Sequence, residues 1–366
     1  MTKLTIPKDI FIEKLSVASK FTSSKLSSLP LLQGVYIKGE KNDLHFYATN
    51  LNSYYHTKTK IENNSEFVFI IEPKKIIEFL SFLPAGKIDL EIEKNQVNIT
   101  QGKTRGEFST LSSEEFPLPP KVISKPQKIE TKLFLENLPK ILFAASVDET
   151  RPVLTGINFV AEDDQMLMVA TDGFRLSLLK LKKEQELPSM IIPSNFLTQT
   201  LQLIKGEKEI VFSYLPEEKI INFQIGEHDL YSRLIEGEYP PFEKVIPSQV
   251  NTTVLVDRQD FLRNIKLISI FAREFSNIVI FEVKKDTLTI RPKTDKNAGN
   301  FTSQEAQVEG EEIKIAFNFK FILDLLSHLD AEKIIIELLR PDSPAVFKSD
   351  NNPNFLHIIM PVRIQE

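Results

Sequence analysis

The chain of 366 residues contains no cysteine. Disulfides, thiolate metal sites and cysteine nucleophiles are therefore excluded, and a reducing compartment is permitted. No stretch reaches the roughly 20 apolar residues that a membrane helix needs, and Met1-Thr2-Lys3-Leu4-Thr5-Ile6-Pro7 has no apolar run of signal-peptide length. Catalytic signatures are missing too: there is no G-x-G-x-x-G, G-x-S-x-G or H-E-x-x-H. Gly102-Lys103-Thr104 resembles the end of a phosphate loop, but Val97 stands where its first glycine belongs. The five histidines are scattered, without metal-ligand spacing to carboxylates. No metal and no cofactor is expected. Positive charge is not in excess either. The net charge is −5, so bulk electrostatics do not announce a nucleic-acid binder.

What the chain does have is a long internal repeat. Phe11, Ile12, Leu15 and Ala18 fall on one helix face, and the same offsets recur in Phe134, Leu135, Leu138, Ile141 and in Phe261, Leu262, Ile265, Ile268. Thr131 and Asp257 stand where N-caps belong, and Pro139 should kink its helix. Leu32-Gln33-Gly34-Val35 matches Leu154-Thr155-Gly156-Ile157, and Ala48-Thr49-Asn50-Leu51 matches Ala170-Thr171-Asp172-Gly173. Phe108-Ser109-Thr110-Leu111 with Phe116-Pro117 matches Tyr231-Ser232-Arg233-Leu234 with Tyr239-Pro240 at identical internal spacing. The pattern predicts an α+β fold of three tandem similar domains, at 1–126, 127–250 and 251–366. Each has two helices packed on antiparallel sheets.

Charge is unevenly divided among these elements. The six predicted helices, 7–20, 73–83, 132–146, 194–205, 258–273 and 318–329, hold 13 Lys and Arg against 6 Asp and Glu. They carry +7, and the remainder of the chain carries −12. One reading is the ordinary preference of surface helices for lysine. The other is that all six face one polyanion through Lys14, Lys20, Lys74, Lys75, Lys140, Lys205, Arg263, Lys266, Arg273 and Lys320. Such a lining on an acidic body suits loose, sequence-independent phosphate contact.

The stretch from Met166 to Leu176 reads as a buried strand ending at a turn, with Phe174-Arg175-Leu176 held at the strand end. Asp172 has no second acid or base in register and reads as a turn former. From the residues alone, a hydrolase using Asp172 and Arg175 and a scaffold of tandem domains both stay open.

Asp148-Glu149-Thr150-Arg151-Pro152-Val153-Leu154-Thr155-Gly156, Ala170 to Leu176, Tyr239-Pro240 and Met360-Pro361-Val362-Arg363 together resemble the bacterial DNA polymerase III β subunit family. The resemblance spans the chain in length, triplication and motif order. It implies a cytoplasmic, non-catalytic processivity factor, a sliding clamp that encircles duplex DNA as a head-to-tail homodimer of six domains. Twelve helices at ~9–10 Å spacing would leave a hole of about 25–28 Å, wide enough for a duplex. Ring closure would use Arg105 and Phe108 on one edge and Ile270 and Phe271 on the other. The implied partners are DNA polymerase III's catalytic subunit, the clamp loader, and other polymerases and repair proteins, all through short peptide motifs. The matched cleft positions are Leu154, Thr171, Gly173, Phe174, Arg175, Leu176, Pro240, Val245, Ala345, Ile358, Met360, Pro361, Val362 and Arg363. Phe174 departs from the histidine of many members, and Gln365-Glu366 extend past the usual terminus.

Overall fold

The computed structural model describes residues 2–23, 29–62, 65–122, 126–183, 187–274, 276–293 and 299–363. Every predicted helix forms: α1 (Lys8–Ser19), α2 (Pro73–Phe82), α3 (Thr131–Asn137) with α4 (Pro139–Leu142), α5 (Ser194–Leu203), α6 (Arg258–Ala272) and α7 (Phe319–His328). The third is split in two because Pro139 has no N–H to continue the ladder. Asp257 caps α6 by accepting from the Asp260 amide at 2.8 Å, and Asn318 caps α7 through the Lys320 amide at 3.0 Å. Thr131 is used differently. It is the first residue of α3, and its hydroxyl donates to the Glu207 carbonyl at 2.7 Å.

The repeated apolar offsets are buried at three of their four positions. Phe11, Leu15 and Ala18, then Phe134, Leu138 and Ile141, then Phe261, Ile265 and Ile268 all lie in the core. The second position of each set, Ile12, Leu135 and Leu262, is half-buried or exposed. It sits about 100° round the helix from the aromatic, at the margin of the apolar stripe. In copies one and three the buried helix aromatic meets a strand aromatic, on the second strand of the pair in copy one and on the first in copy three. Phe11 meets Phe46 with centroids 5.7 Å apart, and Phe261 meets Phe281 at 5.7 Å. Truncating either aromatic to alanine should cost about 3–5 kcal/mol.

Two compact units result, one of residues 1–132 and 196–234, the other of 133–195 and 235–366. The first is built on a twelve-stranded antiparallel sheet. It runs from Thr2–Pro7 through Lys87–Ile92, Gln96–Gln101, Thr104–Leu111, Phe67–Ile71, Val35–Glu40, Asp43–Thr49 and Ser53–Lys60. It continues through His228–Arg233, Ile220–Ile225 and Glu209–Leu215 to Gln127–Glu130. The second unit has a nine-stranded sheet: Met190–Pro193, Gly156–Ala161, Gln165–Thr171, Arg175–Lys182, Asn352–Ile359, Ala345–Ser349, Lys333–Leu338, Thr252–Asp257 and Gln307–Gly310. Beside it is a sheet of Thr302–Glu305, Thr287–Pro292, Ile278–Lys284 and Ile313–Asn318. The middle stretch, 127–250, thus contributes strands to both units, because its two halves each pair with a neighbouring copy.

Candidate functional site

The strand Gln165–Thr171 ends in a closed polar turn. The Thr171 hydroxyl donates to the Arg175 carbonyl at 2.6 Å and accepts from the Gly173 amide at 3.0 Å. Asp172 Oδ1 accepts from the Phe174 and Arg175 amides at 2.9 and 3.0 Å. Asp172 is therefore a turn former, as its sequence context predicts. Gly173 has φ +91°, a conformation that a side chain would strain. The turn leaves Phe174 60% exposed while Leu176 returns to the core.

Strand pairing brings the chain's end to this turn. Leu176 stands opposite Ile358, and the Met360 amide donates to the Phe174 carbonyl at 2.9 Å. Beyond it the Val362 amide donates to the Ala316 carbonyl at 2.8 Å, so the terminal segment is tied at two points. Beneath lies an apolar cluster of Leu167, Val169, Leu176, Leu178, Phe242, Val346 and Ile358. A 3-10 turn, Phe242–Val245, plugs Phe242 into that cluster and leaves Val245 exposed. Exposed apolar groups, Phe174, Pro240, Val245 and Met360, thus surround a fully packed floor. Leu154, Thr171, Ala345 and Ile358 are buried and support the surface from below. Pro361 and Val362 are half-buried and Arg363 is exposed, whereas Gln365-Glu366 lie outside the described residues.

Arg175 is placed differently from a free anchor. Its side chain is 11% exposed and bonds Asp172 Oδ2 at 3.1 Å and Asp324 Oδ2 at 2.6 Å. Its guanidinium lies over Phe321, 4.7 Å from the centroid, and over Phe143 at 5.6 Å. It therefore ties the turn to α7. Sequence reasoning missed the pair behind it. Ser177 Oγ and His357 Nδ1 are 2.7 Å apart, and burial pushes the fully buried His357 down to about 3, aided by the positive charge of Arg175. The register of Ser177 opposite His357 could not be read before the strand pairing was known.

The basic helix residues divide. Lys20, Lys74, Lys75, Lys205, Arg263, Lys266, Arg273 and Lys320 are exposed, and Lys140 is half-buried. Lys14 is a correction to the expected lining: it is buried and ion-paired with Glu227, so it serves the interior of its unit. Spacing along the helix could not reveal this, because Glu227 lies on a distant turn.

The residues expected to close a ring lie on two separate surfaces. Thr104–Leu111 pairs with Gln96–Gln101, but only Thr110 and Leu111 pair with Phe67–Ile71, leaving one side open from Thr104 to Ser109 among the described pairings. On it, Arg105 is 3.3 Å from Glu107 and Phe108 packs edge-on against Phe79 at 5.4 Å. In the other unit, Thr302–Glu305 is an edge strand, and Ile270 and Phe271 on α6 are 57% and 39% exposed.

Comparison with known proteins decides the kinship. Sequence models of the DNA polymerase III beta subunit match in order: the N-terminal domain at residues 2–120, the central domain at 128–241 and the C-terminal domain at 243–363. The chain belongs to the DNA polymerase III beta subunit family. The beta sliding clamp of Bacillus subtilis (strain 168) is 28% identical, with 99% of each chain covered. That of Staphylococcus epidermidis is 28% identical over 99% of this chain and 100% of its own. Among solved structures, the beta subunit from Thermotoga maritima matches with a TM-score of 0.90 at 26% identity, covering 99% and 100% of the two chains. The Streptococcus pneumoniae beta chain matches at 0.89 and 27%, over 100% of both. The three tandem mixed domains are those of the clamp fold, and the role that goes with them is that of a DNA sliding clamp.

Proposed function

We propose that two copies close head to tail into a ring around duplex DNA and carry no catalytic activity of their own. The exposed helix cations would face the phosphates. Their loose contacts on an acidic body would permit sliding, and linkage rather than affinity would retain the ring. Closure would pair the open edge at Thr104–Ser109 with Thr302–Glu305 of the other copy, hiding two unpaired sheet edges. The surface around Phe174 and Met360 would dock short apolar peptides of the polymerase III catalytic subunit, the clamp loader, and other polymerases and repair proteins in the cytoplasm. One observation carries this reading. The Thr171–Arg175 turn and the terminal segment, tied at Met360, hold exposed apolar side chains over a rigid apolar floor. That arrangement suits peptide anchors.

The test is run length of the organism's own replicative polymerase on primed circular DNA after loading. Phe174→Asp with Met360→Asp should abolish stimulation while leaving the dimer intact. Undiminished stimulation by that variant would overturn the docking assignment.

A further inference from the structure

The turn at Thr171 has a twin. The Thr49 hydroxyl donates to the Ser53 carbonyl at 2.8 Å and accepts from the Leu51 amide at 2.9 Å. Asn50 Oδ1 accepts from the Asn52 and Ser53 amides at 3.1 and 2.8 Å. The Arg233 amide donates to the Asn52 carbonyl at 2.8 Å, as that of Met360 does to Phe174. Strand partners agree as well: Tyr54 faces Tyr231 as Leu176 faces Ile358.

The apolar floor is not copied with the backbone. Val169, Leu178, Phe242, Val346, Leu356 and Ile358 are replaced, position by position, by Tyr47, His56, Pro119, Asn222, Asp229 and Tyr231. Where Phe242 plugs its cluster, the smaller Pro119 leaves a cavity of about 540 Å3, lined by all six replacements. Its wall is fixed. His56 Nδ1 donates to Asp229 Oδ2 at 3.0 Å, and His45 Nδ1 donates to His56 Nε2 at 3.0 Å. Tyr47 stacks on His56 with centroids 4.4 Å apart. Leu118, 52% exposed, and Val122, 37% exposed, form an apolar lip.

We propose that this cavity is a second peptide-docking site, selective for a short segment with a carboxamide or hydroxyl side chain. The inference rests on the reading of the Phe174–Met360 surface as a peptide cleft, of which this is the repeat-related counterpart. A cavity of this size takes one or two side chains. The Asn222 amide nitrogen already donates to the Leu230 carbonyl at 3.2 Å, but an apolar anchor would meet the remaining polar lining, the Asn222 amide oxygen and the Ser213 hydroxyl, with nothing to bond it, so peptides suited to the apolar cleft are rejected. The two sites thus sort partners by chemistry on one chain.

The probe is a random dodecapeptide library, panned on the full chain with the apolar cleft disabled by Met360→Asp. Enriched peptides should be rich in Asn, Gln, Ser and Thr. They should bind at least tenfold more weakly to His56→Leu/Asn222→Val, which restores the apolar residues of the twin. Leu118→Asp on the exposed lip gives the same readout should the double variant not fold. No enrichment over the double variant, or equal binding to all variants, overturns the inference. A short apolar motif peptide from the polymerase III catalytic subunit should bind wild type and His56→Leu/Asn222→Val alike. Its failure to bind wild type would instead refute the reading of the apolar cleft.

Discussion

Leu51 and Gly173 occupy the same place in twin turns, at φ +73° and +91°. A leucine in this region is strained by about 1–2 kcal/mol, which the Thr49 and Asn50 bonds offset. Gly173→Ala should therefore lower stability by about 1 kcal/mol and weaken peptide binding several-fold, because it shifts Phe174. Leu51→Gly should be neutral or stabilising by up to about 1 kcal/mol. Denaturant midpoints and peptide titrations check both. His357 makes a pH prediction. Its folded value of about 3 lies below the unfolded 6.5, so between those values the unfolded chain holds a proton that the folded chain lacks. Stability from this group is complete above about pH 6.5 and falls as the pH drops through it. Burial lowers His45 and His228 too, so they add in the same direction. His357→Gln should flatten the dependence of stability on pH between 5 and 6 by up to about 1.4 kcal/mol per unit, read from melting curves. The turn itself was legible in Thr-Asp-Gly chemistry. The burial of Lys14, Arg175 and His357 was not, since each is decided by a partner that only the folded chain brings near.

At the scale of elements, α7 and the Thr171–Arg175 turn are joined through Arg175 and Asp324. Asp324 is 46% exposed, so screening limits the pair. A double-mutant cycle with Arg175→Met and Asp324→Asn should show coupling of about 1 kcal/mol. The same variants should weaken peptide binding, because the turn loses its tether. Helix positions followed from apolar offsets, and Pro139 announced the break between α3 and α4. Sheet order was hidden. Alternation shows that a strand has two faces, but not which strand lies beside it. The pairing of Ser53–Lys60 with His228–Arg233, across some 170 residues, has no local signature.

For the whole molecule, triplication and motif order were enough to place the chain in its family. Ring closure is checked by sedimentation. Wild type should run as a dimer at micromolar concentration, whereas Phe108→Asp or Ile270→Asp should give monomers that melt normally. Those monomers should fail to remain on circular DNA. A wild-type monomer would contradict the ring. Apolar edge residues were visible in the sequence as Phe and Ile. Their exposure, 57% for Ile270, became evident only once the helix face was known.

The in-register pairing of Arg175–Lys182 with Asn352–Ile359 has a mechanical consequence. On the proposed function, a polymerase pulling on a peptide seated at Phe174 would load both strands near their ends. The two strands belong to different repeats, so the load passes directly from one to the other. A pull directed along the strands would be shared by several interstrand bonds at once. The proposed peptide surface would thereby be anchored in a five-pair ladder that joins the second and third repeats.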